Sequence, residues 1–168
     1  ACRGVLREEL TALGCEVDWG DNRHMPDGRA VCESIDDDFR VPDDLLSRPG
    51  CAVPLQAISL LKRELGDEVA VVGKVFGPWT LGYHVFGVQE FLMATLLNPE
   101  RVREVLRQLI EVTVAFAHAQ VEHGADALCL GDHCTRDLCS PDAYRDFLRA
   151  THRELHARIP CPLALHIC

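Results

Sequence analysis

Apolar positions along this chain follow two periods. Val5, Leu6, Leu10 and Leu13 recur at helical spacing and Gly14 supplies a stop, so residues 1–13 read as an amphipathic helix. Residues 15–19 form a short strand candidate. Residues 20–44 are polar, with an acidic run at Asp36, Asp37 and Asp38, and read as a long solvated loop in which His24 is an exposed histidine. Leu55, Ile58, Leu61 and Leu65 make a stripe along a helix over 54–65, closed by Gly66. Residues 69–76 are apolar except at Gly73 and Lys74, the pattern of a parallel strand buried on both faces.

The second half repeats the alternation. A Gly77-Pro78-Trp79 turn leaves the strand, Thr80 is placed to cap a short helix through Phe86, and 89–97 form another. Asn98-Pro99-Glu100 is a helix start: an N-cap, a proline at the first position and an acid in the first turn. That helix runs to His123 and stops at Gly124. Residues 127–130 form a strand that ends in Gly131-Asp132-His133. Ser140-Pro141 opens a helix to about Arg158, and 162–168 form a last strand ending in His166-Ile167-Cys168. Strands alternate with helices and no hairpin signal separates them, which predicts parallel βαβ units. No Gly-x-Gly-x-x-Gly follows the first strand, so a dinucleotide fold lacks its fingerprint.

The unusual residues gather after strand ends, the active-site face of a (β/α)8 TIM barrel. The α/β pattern of roughly four strands therefore predicts the first half to two-thirds of such a barrel, as one partial domain over 1–168. Ala1 is not methionine and the last strand ends abruptly, so both ends read as cut and the chain as a fragment.

Composition narrows the function. A net charge of -9 argues against a nucleic-acid or anionic-membrane surface. No apolar run is long enough for a membrane span, and no secretory signal opens the chain. The nine cysteines are scattered, without a Cys-x-x-Cys pair. They read as reduced thiols of a cytoplasmic protein, mostly small core residues.

Along a strand, residues two apart share a face, so His166 and Cys168 point the same way. Imidazole and thiolate are zinc ligands, but two ligands are not a site. Two readings stand at this point: part of a zinc site, or a histidine and a cysteine closing a buried strand. Asp132 and His133, after a strand end, are candidate catalytic residues lining the pocket. Trp79 and His84, after the Gly-Pro turn, are candidates for a cofactor wall, with helix packing the other role for Trp79. His133, Cys134 and Cys139 match no common zinc-knuckle spacing, and His118 and His123 read as surface or packing residues of a long helix.

Several segments carry a family resemblance. Gly73-Lys74-Val75-Phe76-Gly77-Pro78-Trp79-Thr80-Leu81 resembles a Gly-x-x-x-Gly-Pro-Phe/Trp-Thr-Leu segment of the uroporphyrinogen decarboxylase superfamily. Gly124-Ala125-Asp126 is similar to its Gly-Ala-Asp step, and Asp137-Leu138-Cys139-Ser140-Pro141-Asp142-Ala143-Tyr144 to its Ser-Pro-x-x-Tyr helix start. Leu165-His166-Ile167-Cys168 resembles the Leu-His-x-Cys motif of the zinc-dependent methylcobalamin:coenzyme M methyltransferase branch. The resemblance implies a barrel with zinc held by His166, Cys168 and a further cysteine downstream. It also implies a methylated corrinoid, methylcobalamin or a corrinoid protein, as methyl donor and partner, and a small thiol as acceptor. A decarboxylase acting on a tetrapyrrole and a non-catalytic corrinoid-binding barrel are the alternatives.

Overall fold

The computed structural model describes residues 8–18, 27–66 and 68–167. The first helix, α1 (Glu8–Leu13), is followed by β1 (Glu16–Asp18), which pairs antiparallel with β2 (Asp27–Arg29). This hairpin corrects the expectation of strands without hairpins: β2 occupies part of the stretch read as loop, and a 3₁₀ turn at Leu45–Ser47 follows it. Residues 1–7, Trp19 and His24 lie outside the described residues.

Helix α2 (Pro49–Leu65) starts five residues earlier than its apolar stripe predicts, because Pro49 takes the first helical position and Pro54 is tolerated inside. Then follow β3 (Val72–Phe76), α3 (Pro78–Phe86), α4 (Val88–Leu97), α5 (Pro99–Glu122) and β4 (Ala127–Gly131). The helix expected over 140–158 is built in three pieces. These are α6 (Pro141–Ala143), capped by the Ser140 hydroxyl, a wide π-turn over Tyr144–Leu148, and α7 (Arg149–Arg158). Strand β5 (Leu163–His166) is the last element among the described residues.

The main sheet is parallel, in the order β3-β4-β5, with Gly73 level with Leu128 and Leu163, and Phe76 level with Gly131 and His166. Among the described residues it has three strands, one fewer than the sequence pattern predicts. Val75, Leu128 and Leu130 are buried on the face toward α5, where Val105, Leu109, Val112 and Phe116 pack. By alternation the opposite face carries Lys74, Phe76, Cys129, Gly131, Ala164 and His166.

The outer edge of β3 meets buried polar side chains instead of another strand. The Gln120 amide donates to the Lys74 carbonyl at 2.8 Å and accepts the Lys74 N–H at 3.0 Å. Glu9 accepts the Phe76 N–H and the Thr113 hydroxyl donates to the Phe76 carbonyl, each at 2.9 Å. Glu9, Thr113 and Gln120 are three of the chain's few buried polar residues, and each satisfies a strand group that burial would otherwise leave unpaired.

Candidate functional site

The carboxyl ends of β3, β4 and β5 meet at Asp132. It follows β4, has no exposed surface, and its N–H donates to the His166 carbonyl at 3.0 Å, which ties it to the end of β5. Both carboxylate oxygens are engaged. Oδ1 accepts the Thr80 N–H at 2.8 Å and the Thr80 hydroxyl at 2.9 Å, and Oδ2 lies 2.9 Å from His152 Nε2. A buried carboxylate needs such partners, since burying it unpaired would be far more costly. Asp132 is thus a hub binding the sheet to the first turn of α3 and to α7.

Gly77 makes that hub possible. A Cβ there would occupy the space of the Asp132 carboxylate, so the turn after β3 has to be glycine for the two strand ends to meet. The Gly77 N–H also donates to the Gly131 carbonyl, extending the β3–β4 ladder by one bond.

His133 is the half-buried neighbour of this hub. Its N–H donates to Thr80 Oγ1 at 2.8 Å, and its Nδ1 lies 2.8 Å from the Tyr83 hydroxyl, so backbone and ring are both fixed. Burial holds its imidazole pKa below the ordinary value; the Asp132 charge opposes this, while Lys74 and His166 push it further down.

His152 and Tyr144 are a pairing that the sequence reading missed. The Tyr144 hydroxyl lies 3.2 Å from His152 Nδ1. A π-turn inserts one extra residue, so two positions eight apart fall on one helix face as though seven apart. The only signal for it in the sequence was Tyr144, within the Ser-Pro-x-x-Tyr segment; His152 had none.

The remaining candidates separate. Trp79 has no exposed surface. Its indole donates to the Leu138 carbonyl at 3.3 Å and its ring packs edge-on against Phe91, so it is committed to helix packing. His84 lies one helical turn beyond Thr80, half-buried, with its ring 4.6 Å from Tyr83. His118 reaches the Arg158 carbonyl and His123 the Ser59 hydroxyl, both on the outer helices. Burial pushes Cys139 up to about 11, with the Asp132 charge adding to it, so that thiol is a core group rather than a nucleophile.

His166 has the placement of one metal ligand. Its side chain is exposed at a strand carboxyl end, level with Gly131, and no described residue hydrogen-bonds its ring. Cys168 lies outside the described residues. Among the described residues, no three His, Cys, Asp or Glu side chains are grouped to hold a metal, so the ligand set is incomplete there.

Comparison with known proteins agrees with the fold and the motifs. The family model of uroporphyrinogen decarboxylase (URO-D) matches residues 6–168. The chain is 32% identical to the methylcobamide:CoM methyltransferase MtaA of Methanosarcina barkeri, over 99% of this chain and 49% of that protein. It is 30% identical to a methylated-thiol–coenzyme M methyltransferase of Methanosarcina mazei, over 95% of this chain and 44% of that protein. A solved methyltransferase from Methanosarcina mazei superposes with a TM-score of 0.90 at 30% identity, over 97% of this chain and 49% of that one. The chain spans about half the length of the curated relatives it matches.

Proposed function

The chain belongs to the uroporphyrinogen decarboxylase family, and on that premise we propose that its activity is methyl transfer from a methylated corrinoid, free or carried by a partner protein, to a small thiol. The observation that carries this reading is His166, open at the carboxyl end of β5 and followed two residues later by Cys168, in a chain similar to corrinoid-dependent methyltransferases along nearly its whole length.

His166 and Cys168 are the residues that would hold zinc. Zinc, when bound, keeps a thiol as its thiolate at neutral pH, the reactive form of sulfur. In the transfer, a carbon–sulfur bond forms and the cobalt–carbon bond of the methyl donor breaks. That electron pair stays on cobalt, and the thiol proton leaves to solvent, directly or by way of His133. His133, with its ring fixed by Tyr83, faces the same strand ends and is placed to orient the acceptor or take that proton. Asp132 is the positioning residue that fixes the His133 backbone through Thr80. His84 borders the corrinoid, and Trp79 supports α3 from behind. No helix among the described residues is long and apolar enough to cross a membrane. We place the protein in the cytoplasm, where its thiols remain reduced.

The test uses a protein of the relatives' full length that carries these residues. Methylcobalamin and a small thiol are added and the corrinoid spectrum is followed, with zinc content measured on the same sample. Thiol-dependent demethylation is expected; a zinc-loaded protein that leaves methylcobalamin unchanged with every thiol overturns the reading.

A further inference from the structure

We propose that His152, held by Tyr144, is a positioning residue for methyl transfer. The pair locks the Asp132 carboxylate and, through Thr80, the segment that carries His133. This rests on the methyl-transfer reading and adds two residues to it.

The first observation is the direction of the hydrogen bonds. An ionised Asp132 can only accept, so His152 Nε2, 2.9 Å from Oδ2, carries a proton. In the neutral ring Nδ1 then accepts, and the Tyr144 hydroxyl at 3.2 Å donates to it. On the other side, the single proton of the Thr80 hydroxyl goes to Oδ1. That leaves Thr80 Oγ1 to accept the His133 N–H. Two chains of donors, one from Tyr144 and one from His133, end on one carboxylate. Bonds linked in this way polarise one another, and a charged acceptor strengthens both arms. If the His152 arm is removed, Asp132 is free to turn, and the Thr80 contacts that anchor His133 turn with it.

The second observation is the position of His152. Leu148, His152 and Leu155 recur on one helix face, and all three are buried. Both leucines have no exposed surface and His152 is 8% exposed. An apolar side chain would pack there without any polar group to satisfy. Histidine at this place is turned to a task that packing does not require.

The third observation is the wide turn over Tyr144–Leu148. In a regular α-helix, residues eight apart point about 80° away from each other. The extra residue of the π-turn brings Tyr144 round to His152, with ring centroids 5.6 Å apart. The Thr151 hydroxyl, donating to the Phe147 carbonyl at 2.8 Å, bonds back into the turn. The imidazole is thus gripped at both nitrogens, by the end of β4 on one side and the π-turn on the other.

The experiment uses the full-length protein, with its histidines labelled with nitrogen-15. The His152 ring should carry its proton on Nε2. His152→Leu should lower kcat about tenfold or more with KM for the thiol little changed, and should shift the His133 ring signals. His152→Gln, whose amide can still donate to Asp132, should recover most of the rate and the original His133 signals. Tyr144→Phe should move the His152 Nδ1 signal and lower kcat about threefold. Placed on His133→Ala, His152→Leu should cost no further rate, because it acts through His133. The same loss in both backgrounds marks a residue that only supports the fold, and overturns the proposal. So do unchanged His133 signals in folded His152→Leu, or a His152 proton found on Nδ1. Tyr144→Phe keeps the Asp132–His152 contact, so it decides the matter if His152→Leu does not fold. An unaltered Nδ1 signal and kcat in that variant overturn the proposal. If no thiol accepts a methyl group while the His133 signals still follow His152, the methyl-transfer reading has failed and the positioning pair stands.

Discussion

Thr80 meets Asp132 twice through a single oxygen: Oδ1 of the buried carboxylate accepts both the Thr80 N–H and the Thr80 hydroxyl. The same hydroxyl accepts the His133 N–H, so one threonine fixes the two residues that follow β4. Thr80→Val keeps the shape and removes both hydroxyl contacts. It should cost about 1–3 kcal/mol, because a buried carboxylate loses a donor and a backbone N–H loses its acceptor. Thr80→Ser should be nearly neutral. Urea unfolding of the two variants checks this, and equal stabilities would refute it.

Gln120 makes an equally specific claim. It is 1% exposed and satisfies both backbone groups of Lys74 on the outer edge of β3. Gln120→Leu should destabilise by about 1–3 kcal/mol for each group left unpaired. Gln120→Glu should recover only the accepting half. If Gln120→Leu unfolds at the wild-type urea concentration, those groups find partners elsewhere.

Two thiols predict an alkaline limit. Burial pushes Cys15 up to about 11, and burial together with the Asp132 charge does the same for Cys139. The unfolded chain releases these protons near pH 8.5, so the fold favours the protonated thiols. Their contribution is complete below that pH and is lost as the pH climbs through 11. The Cys15→Ala/Cys139→Ala variant should start less stable and lose less stability between pH 8 and 10.5 than wild type. Parallel stability curves for the two proteins would count against this account.

His166→Ala and Cys168→Ser should each lower zinc content in the full-length protein and abolish methyl transfer, while leaving the circular dichroism spectrum unchanged. Among the described residues the His166 ring makes no hydrogen bond to the Asp132 hub; only the His166 carbonyl serves it. Metal analysis showing full zinc occupancy in both variants would remove these residues from the ligand set.

Much of the fold was legible in the chain. The helix start at Asn98-Pro99, the Ser140 cap, the apolar β3 and β4 and the parallel alternation are local patterns, and local steric and burial preferences decide them. What the sequence could not state was which distant groups pair. Asp132 with His152, Gln120 with the β3 edge and Lys74 across Gly131 join residues 20 to 57 positions apart. A π-turn, a glycine-sized gap and the β3–β4 register set those meetings, and none of them leaves a periodic mark in the sequence. The catalytic reading of Asp132 shows the difference. Its place after a strand was visible in the sequence, but only the packing of α3 and α7 around it closed both oxygens and made it a support rather than an open acid.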